Sequence, residues 1–319
     1  MKTITVAHVS DLHLPFEPKL GLAQRLSKRQ LSAWAWRRRR NIQSETILAA
    51  LAAELRAADL DHMVITGDLV NFALPEEFAR AAAWLQALAP ADRISVVPGN
   101  HDALVRVAES EGLGRWSAWT STDGNWPFVH RREGLALIGL NSARPTAPLL
   151  ARGRIGADQL ARLEAVLNEE ARTGRIRVVA VHHPVASGAV SWRRALADRA
   201  ELGAVLQRAG AELVLHGHAH NARLDALPGP HGMRGMIPCL CVPSSSALPN
   251  AKDEAARWHR LSLSPAGRAE VAIRQWSAAE GRFVDAGGYE LCLPRRMTDA
   301  SPVPAFIDRT SMRLARTAT

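Results

Sequence analysis

Five times between residues 4 and 220, a short apolar run stops at a cluster of Asp, Asn, Gly and His. The runs ITVAHV, HMVIT, RISVV, IRVVAV and ELVL lead into Asp11-Leu12-His13, Gly67-Asp68, Gly99-Asn100-His101-Asp102, His182-His183-Pro184 and Gly217-His218-Ala219-His220. Runs of this length, rich in β-branched residues, read as buried strands. They alternate with amphipathic stretches, which is the pattern of a layered α/β fold. Open α/β sheets bind ligands beyond the carboxyl ends of their strands, so five separate segments are expected to converge on one crevice.

Strands are expected at Ile4–Val9, His62–Thr66, Arg93–Val97, Leu135–Leu140, Ile176–Val181 and Glu212–Leu215. Helices are expected at Glu45–Ala58, from Pro75 onward, and at Ala157–Ala171 and Arg199–Ala209. Ser44 suits the N-cap of the first, with Ile47, Leu48, Leu51 and Leu55 on one face. Pro75-Glu76-Glu77 is a helix start. After residue 230, Met236–Val242, Trp258–Leu263, Glu270–Trp276 and Phe283–Leu291 read as antiparallel strands joined by SPAG- and AAEG-type turns, completing a second sheet. Residues 296–319, rich in Ser, Thr, Pro and Arg, read as a loose tail.

With 319 residues, 47% of them hydrophobic, the chain can bury a full core. A net charge of +9 favours anionic partners without choosing among phosphate, nucleic acid and acidic membranes. Cys239, Cys241 and Cys292 make no disulfide framework, which fits a reducing, cytoplasmic compartment. No stretch approaches the roughly 20 apolar residues of a membrane span. The strand beginning at residue 4 leaves no room for a signal peptide.

Taken in order, Asp11-x-His13, Gly67-Asp68, Gly99-Asn100-His101-Asp102, His182 and Gly217-His218-x-His220 resemble the motifs of the calcineurin-like metallophosphoesterase family. The resemblance spans residues 11 to 220 and lacks none of the ligand types. It implies a four-layer α/β/β/α sandwich of mixed sheets over residues 1–295, with a dinuclear metal centre at the strand ends. It implies that Asp11, His13 and His220 hold one metal, that Asn100, His182 and His218 hold the other, and that Asp68 bridges them. His101 would face the substrate, protonating the leaving oxygen or stabilising charge on phosphorus. Asp102 would orient that imidazole or hold the loop. His183 and His216 match no ligand position.

The chemistry of these residue types agrees. Two metals about 3.5–4 Å apart can clamp the attacking and leaving oxygens of an in-line displacement, with a bridging hydroxide as nucleophile. Two divalent ions against two carboxylates leave the site cationic, able to hold a phosphate. Mixed oxygen and nitrogen ligands suit Mn, Fe, Zn, Co or Ni better than Mg. The expected activity is therefore hydrolysis of a phosphodiester or phosphoanhydride, in a cyclic nucleotide, a glycerophosphodiester or a lipid-linked nucleotide. A nuclease ranks lower, because no nucleic-acid module is appended. A non-catalytic scaffold ranks lowest, because the ligand set is complete.

Residues 15–41 form an insertion between the first motif and the first long helix, carrying leucines, Trp34, Trp36, Lys28, Arg29 and Arg37 to Arg40. Leu22, Leu26 and Ala33 can share a helical face. Three readings stay open: a substrate lid whose arginines hold phosphate, a membrane-surface anchor, or a solvated helix covering the sheet. Trp116, Trp119, Trp126 and Trp192 line a pocket or pack loops.

Overall fold

The computed structural model describes residues 2–37, 42–121, 124–231, 233–250, 253–296 and 307–308. Its first sheet is built around β1 (Ile4–Val9), β2 (His62–Ile65) and β3 (Ile94–Val96), which run parallel. Its second is built around β4 (Phe128–Arg132), β5 (Leu135–Gly139), β6 (Ile176–Ala180), β7 (Leu213–His216), β8 (Arg223–Pro228) and β10 (Met236–Cys241), in the order β4-β5-β6-β7-β10-β8. Met233–Arg234 is the short strand β9.

The later strands divide between the two sheets. β11 (Arg257–Ser264) pairs antiparallel with β1, and β12 (Arg268–Ser277) and β13 (Arg282–Cys292) follow it. These three therefore extend the first sheet, and only Met236–Cys241 joins the second. The expectation of one completed second sheet is corrected: both sheets offer an apolar inner face, and hydrophobic pattern alone does not choose between them. β14 (Arg295–Arg296) pairs with β9, and β15 (Ile307–Asp308) with β13. The rest of the expected tail, residues 297–306 and 309–319, lies outside the described residues.

Alternation along each strand makes the layers. In β1, Ile4 and Val6 face β6 and its neighbours across the inter-sheet core, whereas Ala7 and Val9 face the outer helices. On that outer side lie α3 (Glu45–Ala57) and α4 (Pro75–Leu88), seated through Ile47, Leu51, Leu55, Phe78 and Leu85. On the far side, α5 (Ala157–Ala171) and α6 (Arg199–Ala209) cover the second sheet through Leu160, Leu163, Leu167, Leu202 and Leu206. The result is the expected four-layer α/β/β/α sandwich.

Local signals hold at several ends. Ser44 caps α3, its side chain accepting from Ile47 N at 3.4 Å. Arg93 is not in β3 but in a 3-10 turn, Ala91–Arg93, that delivers the chain to Ile94. The strands Phe128–Arg132 and Arg223–Pro228 escaped the sequence pattern because both are half-exposed edges with interspersed charge. Cys239 and Cys241 are buried thiols on β10. The insertion is two short helices, α1 (Leu22–Arg25) and α2 (Lys28–Arg37), broken at Leu26-Ser27. The break corrects the shared face: Leu22 and Leu26 are 82% and 93% exposed, whereas Ala33 is buried.

Candidate metal centre

The loops leaving β1, β2, β3, β6 and β7 bring Asp11, His13, Asp68, Asn100, His182, His218 and His220 together. Five of the seven have left-handed backbones: Asp11 (φ 51°), His13 (42°), Asp68 (55°), His218 (68°) and His220 (59°). Such conformations cost non-glycine residues about 1–3 kcal/mol each and persist only where the surroundings fix them. Here the fixing is done by cross-loop hydrogen bonds, among them Asp11 N to Gly67 O (3.0 Å), His13 N to Asp68 O (2.8 Å) and His218 N to Asp11 Oδ2 (2.9 Å).

The motif glycines are spaces the donors themselves need. At Gly67 (φ 101°) a Cβ would lie 2.6 Å from His182 Nδ1. A Cβ at Gly99 would strike the Asp68 carboxylate, and one at Gly217 would strike Ser10 Oγ.

Two sets of donor atoms, Asp11/His13/His220 and Asp68/His182/His218, each lie within 4.8 Å of one another, and His13/Asp68/His101 form an overlapping third. Asp68 Oδ2 sits between them, 3.8 Å from His13 Nε2 and 3.5 Å from His182 Nε2. Asn100 Oδ1 is 3.1 Å from the same His182 nitrogen.

Whether these residues suit a cation can be judged from their outer partners. His182 Nδ1 faces Thr66 O at 2.7 Å, and His218 Nε2 faces Arg194 O at 2.9 Å. A carbonyl accepts, so each of these nitrogens carries the proton, and the opposite nitrogen turns a lone pair inward. His182 Nε2 and Asn100 Oδ1 are then two acceptors face to face, a contact that a cation satisfies. Asp11 Oδ1, buried, lies 3.2 Å from His220 Nε2.

The protonation pattern points the same way. Burial holds His182 below, and His218 well below, the usual histidine range, so both are neutral. Burial also opposes charge on His220, but Asp11 and Asp253 outweigh it and push that imidazole up to about 10. Asp11 is held low against its burial by His220, while burial and Asp11's charge drive Asp68 well up. Without an ion, the charge of Asp11 is therefore balanced by His220.

Asp102 has a clear geometric role. Its two oxygens accept from Gly99 N (2.7 Å), Asp68 N (2.9 Å), Leu69 N (3.0 Å) and Val70 N (3.0 Å). It ties the second motif loop to the third. Burial first, then repulsion from Asp68, raises its carboxyl to about 7. His101 donates its backbone N–H to Asp68 Oδ1 (2.8 Å) and sets Nδ1 against Asn71 O (2.9 Å).

His183 is held by Ser142 Oγ (2.7 Å) and Ala151 O (3.2 Å), away from the donor sets. His216 is buried beside them without joining them. Sequence reasoning missed Asp253, whose Oδ1 lies 2.6 Å from His220 Nδ1, and Arg194, which contacts His218 through both its carbonyl and its guanidinium. Neither carries a motif signal.

A cavity of about 450 Å³ opens over the donors, lined by His13, Asp68, Asn100, His101, His218 and His220 on its floor. Lys28, Leu31, Ser32, Ala35 and Trp36 of α2 form one wall, with Leu149 and Leu150 opposite. The insertion does overhang the site. Two of its cations are engaged with the protein itself: Lys28 Nζ donates to Thr146 Oγ1 and Leu150 O (both 2.7 Å), and Arg29 donates to Phe72 O (2.9 Å) and Ala73 O (2.5 Å). They anchor the helix. Arg38 to Arg40 lie outside the described residues. Trp116 and Trp119 pack in the core, Trp192 is 65% exposed, and Trp126 lines a separate cavity of about 610 Å³ with Arg144 and Arg162.

The chain is 27% identical over 273 residues to a protein of Synechococcus sp. named a probable cyclic nucleotide phosphodiesterase, covering 83% of this chain and 89% of that one. It is 29% identical over 223 residues to a 3',5'-cyclic-nucleotide phosphodiesterase of Nostoc sp., covering 68% and 71%. A dimetal phosphatase from Danio rerio has the same fold, with a TM-score of 0.55 at 14% identity, over 89% of this chain and 99% of that one. The sequence model of the calcineurin-like phosphoesterases matches residues 4–222. This chain belongs to the calcineurin-like phosphoesterase family and is a metallophosphoesterase.

Proposed function

We propose that the chain hydrolyses small phosphodiesters at a two-metal centre. In this reading Asp11, His13 and His220 hold one ion, Asn100, His182 and His218 the other, and Asp68 lies between them. The observation that carries it is the inward lone-pair geometry of the histidines, set by Thr66 O, Arg194 O and Asp253. Two such ions supply Lewis-acid charge and lower the pKa of water at the site.

The protein's own groups do the rest. Asp11 and Asp68 neutralise only part of the metal charge, so the floor attracts a phosphoryl anion. His101, with Nδ1–H held on Asn71 O, donates from Nε2 in its imidazolium form, giving that proton to the leaving oxygen and becoming the neutral imidazole. Helix α2 forms one wall of the cavity and limits its size. A cavity of about 450 Å³ suits a small phosphoester better than a nucleic-acid duplex. Its lining cations, Lys28 and Arg194, are both engaged with carbonyls, which favours a singly charged diester over a doubly charged monoester.

Cyclic nucleotides lead the candidate diesters, on the names of the Synechococcus and Nostoc relatives. Trp36, half-buried in the cavity wall, offers an aromatic side chain for a base. An amphiphilic phosphoester is the second reading, favoured by Leu31 and Leu149, both cavity-lining and 45% and 78% exposed. The test is turnover of cyclic nucleotides, linear diesters, monoesters, phosphoanhydrides and lipid phosphodiesters across a metal series. Diesters should exceed monoesters by roughly tenfold or more in kcat/KM. A preference for monoesters would sink the diester reading.

A further inference from the structure

Among the described residues, seven large apolar side chains are prominently exposed: Leu22, Leu26, Leu31, Trp34, Leu149, Trp192 and Met236. The first four belong to the two-helix lid. Leu149 and Trp192 sit in loops tied to it or to each other, through Lys28 Nζ to Leu150 O (2.7 Å) and Ala151 N to Arg193 O (2.9 Å). Leu31 and Leu149 line the metal cavity, and Leu22, Leu26, Trp34 and Trp192 lie on the segments joined to them; exposed apolar groups of this kind mark an interaction surface.

The lid has three faces with three tasks. Arg29, Ala33 and Trp36 dock it on Phe72 and Leu74. Lys28, Leu31, Ser32 and Ala35 line the cavity. Trp34 (55% exposed) and Arg37 face outward, as do Leu22 and Arg25 on α1 and Leu26 just after it. Residues 18–44 hold eight Lys and Arg side chains and no Asp or Glu. Projecting aliphatic side chains and a tryptophan, set among arginines with no anion, are the composition of a helix lying in an anionic lipid interface. A protein partner would need pockets cut for each projecting side chain; a lipid interface needs none.

We propose that the outward surface of α1 and α2 docks on an anionic lipid surface, with Leu22, Leu26 and Trp34 entering the interface and Lys19, Arg25 and Arg37 meeting the headgroups. The docked lid then holds the cavity mouth at the membrane. The proposal uses no metal-site residue and stands apart from the diesterase reading.

The test is co-sedimentation of the full chain with vesicles of phosphatidylglycerol and phosphatidylethanolamine, against vesicles of phosphatidylcholine alone. Binding is expected to the anionic vesicles only, and to weaken as salt rises. The triple variant Leu22→Gln, Leu26→Gln, Trp34→Gln and the double variant Arg25→Glu, Arg37→Glu should each bind roughly tenfold or more weakly. Both should keep bis(p-nitrophenyl) phosphate turnover, which verifies the fold. Failure of the unsubstituted chain to sediment, or unchanged binding by both variants, overturns the proposal. So does a concentration-dependent dimer that the same substitutions abolish without any vesicle binding, since the face would then be a protein contact. An unsubstituted chain inactive on the diester refutes the diesterase reading alone, and the sedimentation result still decides the surface.

Discussion

Replacing Asp253 with Ala should weaken metal binding far more than it slows the loaded enzyme. Asp253 Oδ1 lies 2.6 Å from His220 Nδ1, and its Oδ2 is held by Asn250 Nδ2 at 2.8 Å, so the carboxylate is aimed before any ion arrives. It keeps the His220 proton on Nδ1 and turns Nε2 toward Asp11 Oδ1, 3.2 Å away. A charge-assisted hydrogen bond of this kind contributes about 1.5–3 kcal/mol, and about 1.4 kcal/mol is a factor of ten. The loss expected in metal affinity is therefore about 10- to 100-fold, the range usual for partners behind a metal-binding histidine. Turnover of bis(p-nitrophenyl) phosphate against free Mn concentration reads this directly. The activation midpoint should rise by that factor, and kcat at saturating metal should stay within a few-fold. Asp253→Asn, which keeps an acceptor oxygen, should shift the midpoint less. An unchanged midpoint in Asp253→Ala would show that this hydrogen bond aims no ligand.

His101→Asn should lower kcat by roughly 10²- to 10⁴-fold while metal content stays unchanged, because His101 is assigned to the leaving group and not to an ion; loss of metal would contradict that. Asp102→Asn leaves one accepting oxygen for four backbone N–H donors, so metal content, thermal midpoint and activity should fall together. Activity lost with metal and midpoint intact would make Asp102 a chemical participant. Acid should destabilise the fold through His62 and His259. Each is held down to about 3, mainly by burial and further by His130 for His62 and Arg257 for His259. The unfolded chain takes up these protons near pH 6.5 and the folded one only near 3, so stability is complete above 6.5 and falls as pH drops toward 3. Between pH 7 and 5 each residue accounts for a loss of about 2 kcal/mol. The urea midpoint should therefore shift less over that range in His259→Gln than in the unsubstituted chain; equal shifts would refute the assignment.

The convergence of these residues was legible in the sequence because each strand end carries its own short motif, and because the glycines beside them are fixed by collisions that any side chain would cause. Asp253 was not legible. It lies 33 residues beyond His220 in a loop whose approach is set by tertiary packing. The lid's helical face was misread although its break had a local signature: Ser27 Oγ donates to Gln24 O (2.6 Å) and accepts from Arg29 N (3.3 Å), closing one helix and opening the next. The partner sheet of Trp258–Leu263 was beyond pattern reading, since its pairing with β1 joins residues over 250 positions apart.

The most direct test of the two-metal account is metal stoichiometry measured together with turnover. The purified chain, reconstituted with Mn and freed of excess, should hold two ions, and chelation should remove them and abolish bis(p-nitrophenyl) phosphate hydrolysis until Mn is restored. Asp68→Asn should hold fewer ions and lose roughly 10³-fold or more in kcat. One ion or none in an active chain, or full activity and two ions in Asp68→Asn, would contradict the account.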